Sequence, residues 1–113
     1  MNGPDTIDRV LTEYCAGLTR QLGQELHGVI LFGSRARGDA RGDSDIDVLC
    51  VMNGAFDYGE MIERTSELTA RLALTHEVAL SRAFVTRADY ETSQTPFLCN
   101  VRREGVQSCP PRC

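Results

Sequence analysis

Apolar positions along this chain change rhythm several times, and each change marks an element. Ile7, Val10, Leu11, Tyr14, Leu18 and Leu22 recur every three or four residues, which predicts a helix over residues 6–22 closed by Gly23. The period is then lost, and residues 26–32 end in an unbroken apolar run from Val29 to Phe32, the pattern of a short buried strand. A second run from about Asp45 to Met52 predicts another strand, followed by an Asn53-Gly54 turn. Asp57 and Glu60 have the spacing of a capping box, and Tyr58, Met61, Ile62, Thr65, Leu68 and Leu72 put a helical stripe behind it. Residues 77–81 and 83–85 read as a third strand, irregular around Ser81 and Arg82. Thr86 can cap a short helix reaching Tyr90. Thr95-Pro96 starts another, holding Phe97, Leu98 and Val101 and ended by Gly105. The expected class is α/β (α+β): a mixed sheet covered by helices in one domain, residues 1–106, with a disordered tail over 107–113.

The stretch between the first two strands carries the chemistry. Gly33-Ser34 follows the first strand directly, ten residues rich in Gly, Arg and Asp come next, and Asp45-Ile46-Asp47 opens the second strand. Alternation along a strand points Asp45 and Asp47 the same way, roughly 6.5–7 Å apart. Two carboxylates side by side repel, and a bound cation offsets that cost. Oxygen donors favour a hard ion, and Mg²⁺ is commonly held by one or two carboxylates plus substrate phosphates. Gly33 lets the backbone approach a phosphate closely, while Ser34 adds a hydroxyl donor. A phosphate cradle beside a carboxylate pair is the layout of metal-assisted phosphoryl or nucleotidyl transfer.

Composition narrows the partners. The formal net charge of −4 argues against strong nucleic-acid binding, which needs a basic surface. All 12 basic residues are arginine, so lysine Schiff-base chemistry is excluded and phosphate contacts fall to guanidinium groups. Arg35 and Arg37 are the candidates, set against a simple solvated role. The loop also holds two Arg-Gly-Asp triplets, whose glycines serve turns; an adhesion reading fits this pattern poorly. No apolar run reaches the ~18 residues of a membrane span and no signal-like segment opens the chain, so a cytoplasmic protein is expected. Five cysteines lack metal-site spacing; Cys15 and Cys50 sit within apolar patterns and read as small core residues. His27 reads as an edge histidine, with no second histidine near enough to share a ligand.

The string Gly-Ser-Arg-Ala-Arg-Gly-Asp-Ala from Gly33, closed by Ser44-Asp45-Ile46-Asp47, resembles the signature of the DNA polymerase beta-like nucleotidyltransferases, and specifically their minimal nucleotidyltransferase branch. The resemblance implies a palm-like mixed sheet. It implies that Gly33 and Ser34 bind the β- and γ-phosphates of a nucleoside triphosphate and that Asp45 and Asp47 hold Mg²⁺. It also implies a third acid on a neighbouring strand. Glu77 falls at that point here, where relatives carry Asp, and would join the metal set and draw the proton from the acceptor.

The chain has little sequence left after the nucleotide-binding part with which to grip an acceptor, so another protein is expected to supply that surface. The resemblance names one: a helical HEPN-type toxin, with AMP moved from ATP to a toxin tyrosine and the chain acting as antitoxin. Two other readings stand beside this one. A binding-only antitoxin would neutralise its partner by contact. An aminoglycoside-type small-molecule nucleotidyltransferase would need a homo-oligomer to build its acceptor pocket.

Overall fold

The structure is a computed structural model, and it describes residues 4–33 and 45–109. The first helix, α1 (Pro4–Leu22), carries Val10, Tyr14, Leu18 and Leu22 on one stripe, all buried. Gly23 takes φ +56°, and a single 3-10 turn leads into β1 (Leu26–Phe32). The sheet is completed by β2 (Ile46–Met52), β3 (Leu80–Thr86) and β4 (Val106–Cys109), in the order β3-β2-β1-β4. β1 is antiparallel to both neighbours, whereas β2 and β3 run parallel. A parallel pair needs a crossover, and α2 (Tyr58–His76) supplies it. Two short helices, α3 (Arg87–Thr92) and α4 (Pro96–Glu104), link β3 to β4. The mixed α/β class holds.

The expected caps are in place. The Asp57 carboxylate accepts from the Glu60 N–H at 2.9 Å, while the Glu60 side chain turns to Arg64. Thr86 accepts from the Asp89 N–H, and Thr95 from the Leu98 N–H.

The two faces of the sheet are covered differently. Val29, Leu31, Ile46, Val48, Cys50, Met52 and Phe84 face α1 and α2 and form one large core with them. Ile30, Leu49 and Val51 point the other way, onto Leu98 and Val101 of α4. The larger core contains a polar chain. The Tyr14 hydroxyl meets Thr69 Oγ1 at 2.6 Å, and Thr69 donates in turn to the Thr65 carbonyl. Arg82 Nε donates to Thr65 Oγ1 at 2.8 Å, so β3 and both long helices are pinned through buried hydroxyls. Burial pushes the Tyr14 hydroxyl up to about 12, although the Thr69 hydrogen bond works against that shift. Cys15 and Cys50 are buried in this core and His27 is exposed, as expected.

Two expectations need correction. The third strand begins at Leu80, not at residue 77, and its register with β2 is unbroken through Ser81 and Arg82. The tail does not begin at residue 107: Val106–Cys109 is β4, paired with β1. An open edge on β1 would leave backbone donors and acceptors without partners, and four residues with no strand-like alternation suffice to cover it. Among the described residues, no helix is long and apolar enough to cross a membrane.

Candidate active site

β2 is buried along its whole length except at one position, Asp47. Alternation turns Asp47 to the α4 side of the sheet, where its register partner is Phe32 on β1. Leu49 and Val51 share that side and are buried against Leu98 and Val101 of the nine-residue α4, whereas Asp47 is only half-buried. The carboxylate therefore stands at the open end of a half-covered face. Asp45, just before the strand, is exposed beside it.

Gly33, at the end of β1, explains why a carboxylate fits there. Its φ is +82°, a left-handed conformation that favours glycine. A Cβ built on Gly33 would stand 2.7 Å from Asp47 Oδ2. The backbone and the carboxylate thus share space that any side chain would fill. Partial burial raises the Asp47 pKa above the ordinary carboxylate value, and the neighbouring Asp45 charge raises it further. The folded chain holds two like charges together at a cost, which a cation at that spot would offset. Magnesium suits the donor set, because it accepts one or two carboxylates and completes its shell with water and phosphate oxygens.

Glu77 is not where the sequence placed it. It lies before the strand, at the C-terminal end of α2, in the left-handed conformation with φ 55° and ψ 48°. Its N–H and that of Val78 return to the carbonyls of the last helical turn, the geometry that ends many helices. Glu77 therefore shares no strand face with Ala79 and Ser81. The Ile46 N–H bonds to the Ala79 carbonyl and Asp47 pairs with Ser81, so the residues flanking the carboxylate pair are Ala79, just before β3, and Ser81 on it. Among the described residues no three His, Cys, Asp or Glu side chains gather closely enough to hold a metal. Asp45 and Asp47 are the carboxylates that the start of β2 brings together, and Glu77 ends α2. Ser34, Arg35 and Arg37, with both Arg-Gly-Asp triplets, lie outside the described residues.

Next to the carboxylates the sequence left a feature unread. A cavity of about 190 Å³ opens between the end of β1 and α4, lined by Phe32, Gly33, Phe97, Asn100, Val101 and Glu104. Phe97, expected only as a member of this helix, is 46% exposed and meets Phe32 edge-on at 5.3 Å. The signal was present in the spacing, since residues 97, 100, 101 and 104 occupy one helical face. Only the fold shows that this face looks at Gly33.

Comparison with known proteins bears on this arrangement. Residues 16–95 match the family model described as a nucleotidyltransferase domain. Over 101 residues the chain is 29% identical to a Methanocaldococcus jannaschii protein named "Putative protein adenylyltransferase", covering 89% of this chain and 97% of that one. Among solved structures, a chain of a toxin-antitoxin crystallised with AMP-PNP superposes with a TM-score of 0.58 at 23% identity, covering 88% of this chain and 73% of that one. A chain from the tri-AMPylated Shewanella oneidensis HEPN toxin in complex with MNT antitoxin superposes with a TM-score of 0.53 at 20% identity, covering 90% and 71%. At these identities the structural likeness shows the fold.

Proposed function

Because this chain belongs to the nucleotidyltransferase domain family, we propose that the open end of its half-covered face transfers a nucleoside monophosphate to a protein hydroxyl. The observation that carries the reading is the Asp47 carboxylate lying against the bare Cα of Gly33, with Asp45 beside it. ATP is the donor, the acceptor is a tyrosine of a helical HEPN-type partner, and the chain acts as its antitoxin. The M. jannaschii relative's name and the toxin-antitoxin neighbours support that choice.

In the reaction, an acceptor oxygen attacks the α-phosphorus of the triphosphate. The bond from that phosphorus to the bridging oxygen of the β-phosphate breaks, pyrophosphate leaves, and the hydroxyl proton passes to solvent. Gly33 gives the phosphates room to approach the backbone, and Ser34 is proposed to add a hydroxyl donor. Arg35 and Arg37 are proposed to clamp the outer phosphates through bidentate guanidinium contacts. Asp45 and Asp47 would hold Mg²⁺, which supplies charge neutralisation at the phosphate oxygens when bound.

One observation favours a second reading. The residues beside the carboxylate pair are Ala79, just before β3, and Ser81, so among the described residues no third acid gathers with the pair, and a binding-only antitoxin would be built this way. Intact-mass spectrometry of the partner protein after incubation with this chain, ATP and Mg²⁺ separates the two. Nucleotidyl transfer predicts a gain of one AMP less water per modified residue, lost with Asp45→Ala and Asp47→Ala although the complex still forms. A stable complex with no mass change would establish the contact reading instead.

A further inference from the structure

We propose that Ser81 is a self-modification site: without a partner, the protein transfers a nucleoside monophosphate to its own Ser81 hydroxyl. This deepens the transfer reading and rests on it. Ser81 is the register partner of Asp47 across the parallel β2–β3 pair. Paired residues in such a sheet lie ~4.8 Å apart and turn their side chains to the same face. The packing agrees on the face: Ala83 and Val85 lie against the α4-side cluster, whereas Leu80 and Phe84 pack on the α1–α2 side. A triphosphate held at Gly33 and Asp47 would therefore bring its phosphates beside Ser81.

The Ser81 hydroxyl is also otherwise unused. The residue is exposed, and among the described residues its side chain makes no hydrogen bond. Ala79 and Ala83, two residues to either side, carry only methyl groups that leave the approach open. Other hydroxyls nearby are engaged or face elsewhere. Thr65, Ser66 and Thr69 donate to carbonyls within α2, and Thr86 caps α3. Tyr58 packs on Phe84, on the α2 side of the sheet and about 10 Å further along β3. In the step, Ser81 Oγ attacks the α-phosphorus of the triphosphate. The bond from that phosphorus to the bridging oxygen of the β-phosphate breaks, pyrophosphate leaves, and the hydroxyl proton passes to solvent. A nucleophile fixed on the neighbouring strand needs no encounter with a second protein. The added nucleotide would stand over Asp47 and fill the site, so the reaction stops at one nucleotide per chain.

The test is intact-mass spectrometry of the protein alone, incubated with Mg²⁺ and ATP at several protein concentrations, with the partner protein added to a parallel sample. The chain alone should gain one AMP less water, at a rate independent of its concentration, and fragmentation should place the gain on Ser81. Ser81→Ala and Asp47→Asn should each abolish it. Ser81→Thr, which keeps a hydroxyl on the strand, should retain it. Three results would overturn self-modification and leave the transfer reading standing: a gain that survives Ser81→Ala, a rate that rises with protein concentration, or a modified partner beside a chain that alone gains no mass. If neither protein gained mass, the transfer reading itself would fall.

Discussion

The sheet has one face built for stability and one left half-finished, and the chemistry lies where the covering stops. On the α1–α2 face, Ile46, Val48, Cys50 and Met52 of β2 are buried against two 19-residue helices. On the opposite face the same strand presents Leu49 and Val51 to α4, then the half-buried Asp47 against Gly33. A one-residue shift along β2 would exchange these roles, because strand side chains alternate. Register is therefore what turns an acidic strand end into a site, and the apolar residues around Asp47 are what hold the register.

The contrast can be broken most sharply at Gly33. Gly33→Ala places a methyl group against Asp47 Oδ2 in a left-handed conformation, and it should move the carboxylate by an ångström or so. The transfer rate should fall on the order of 100-fold. A thermal melt should show a loss of only about 1–2 kcal/mol, because the change strikes the open face and spares the large core. A near-wild-type rate would separate Gly33 from the chemistry.

The covered face should respond to pH instead. Tyr14 titrates near 10 in the unfolded chain and at about 12 when folded, so its contribution is complete below pH 10 and disappears as pH climbs through 12. Urea unfolding from pH 9 to pH 12 should show a loss of about 2–3 kcal/mol from this group. The chain has no lysine to titrate in the same range. Tyr14→Phe should start about 1 kcal/mol less stable and lose less over that interval. Parallel curves for the two proteins would contradict the buried Tyr14–Thr69 contact as the cause.

The smallest effect expected is at Glu77. A left-handed helix terminus prefers glycine, so Glu77→Gly should stabilise the fold by about 1 kcal/mol and leave transfer unchanged. A drop in rate of 100-fold would restore Glu77 as the third carboxylate.

What could be read in advance depended on how local the cause was. The caps at Asp57, Thr86 and Thr95 are matters of three or four residues, and each was found where the sequence put it. Residues 26–32 were legible as a strand because they end in the unbroken apolar run Val29 to Phe32. Glu77 was misplaced because apolar alternation resumes near residue 78, and nothing local distinguishes a helix terminator from the first residue of a strand. β4 was missed because its strand state comes from pairing with β1, more than seventy residues earlier in the chain. The cavity joins Phe32 to Phe97, and no pattern within either segment reports on the other. Asp45, Asp47 and Gly33 were legible as a motif, while the clash that makes Gly33 necessary had to be seen in three dimensions.

The central claim is nucleotidyl transfer at the open end of the half-covered face, and the position of the label in ATP tests it most directly. The protein and its partner would be incubated with Mg²⁺ and ATP labelled at either the α- or the γ-phosphate, alongside Asp47→Asn. The account predicts α-label on the partner, γ-label in released pyrophosphate, and neither transfer with Asp47→Asn. Label from the γ-phosphate on protein, or α-label transfer undiminished by Asp47→Asn, would contradict it.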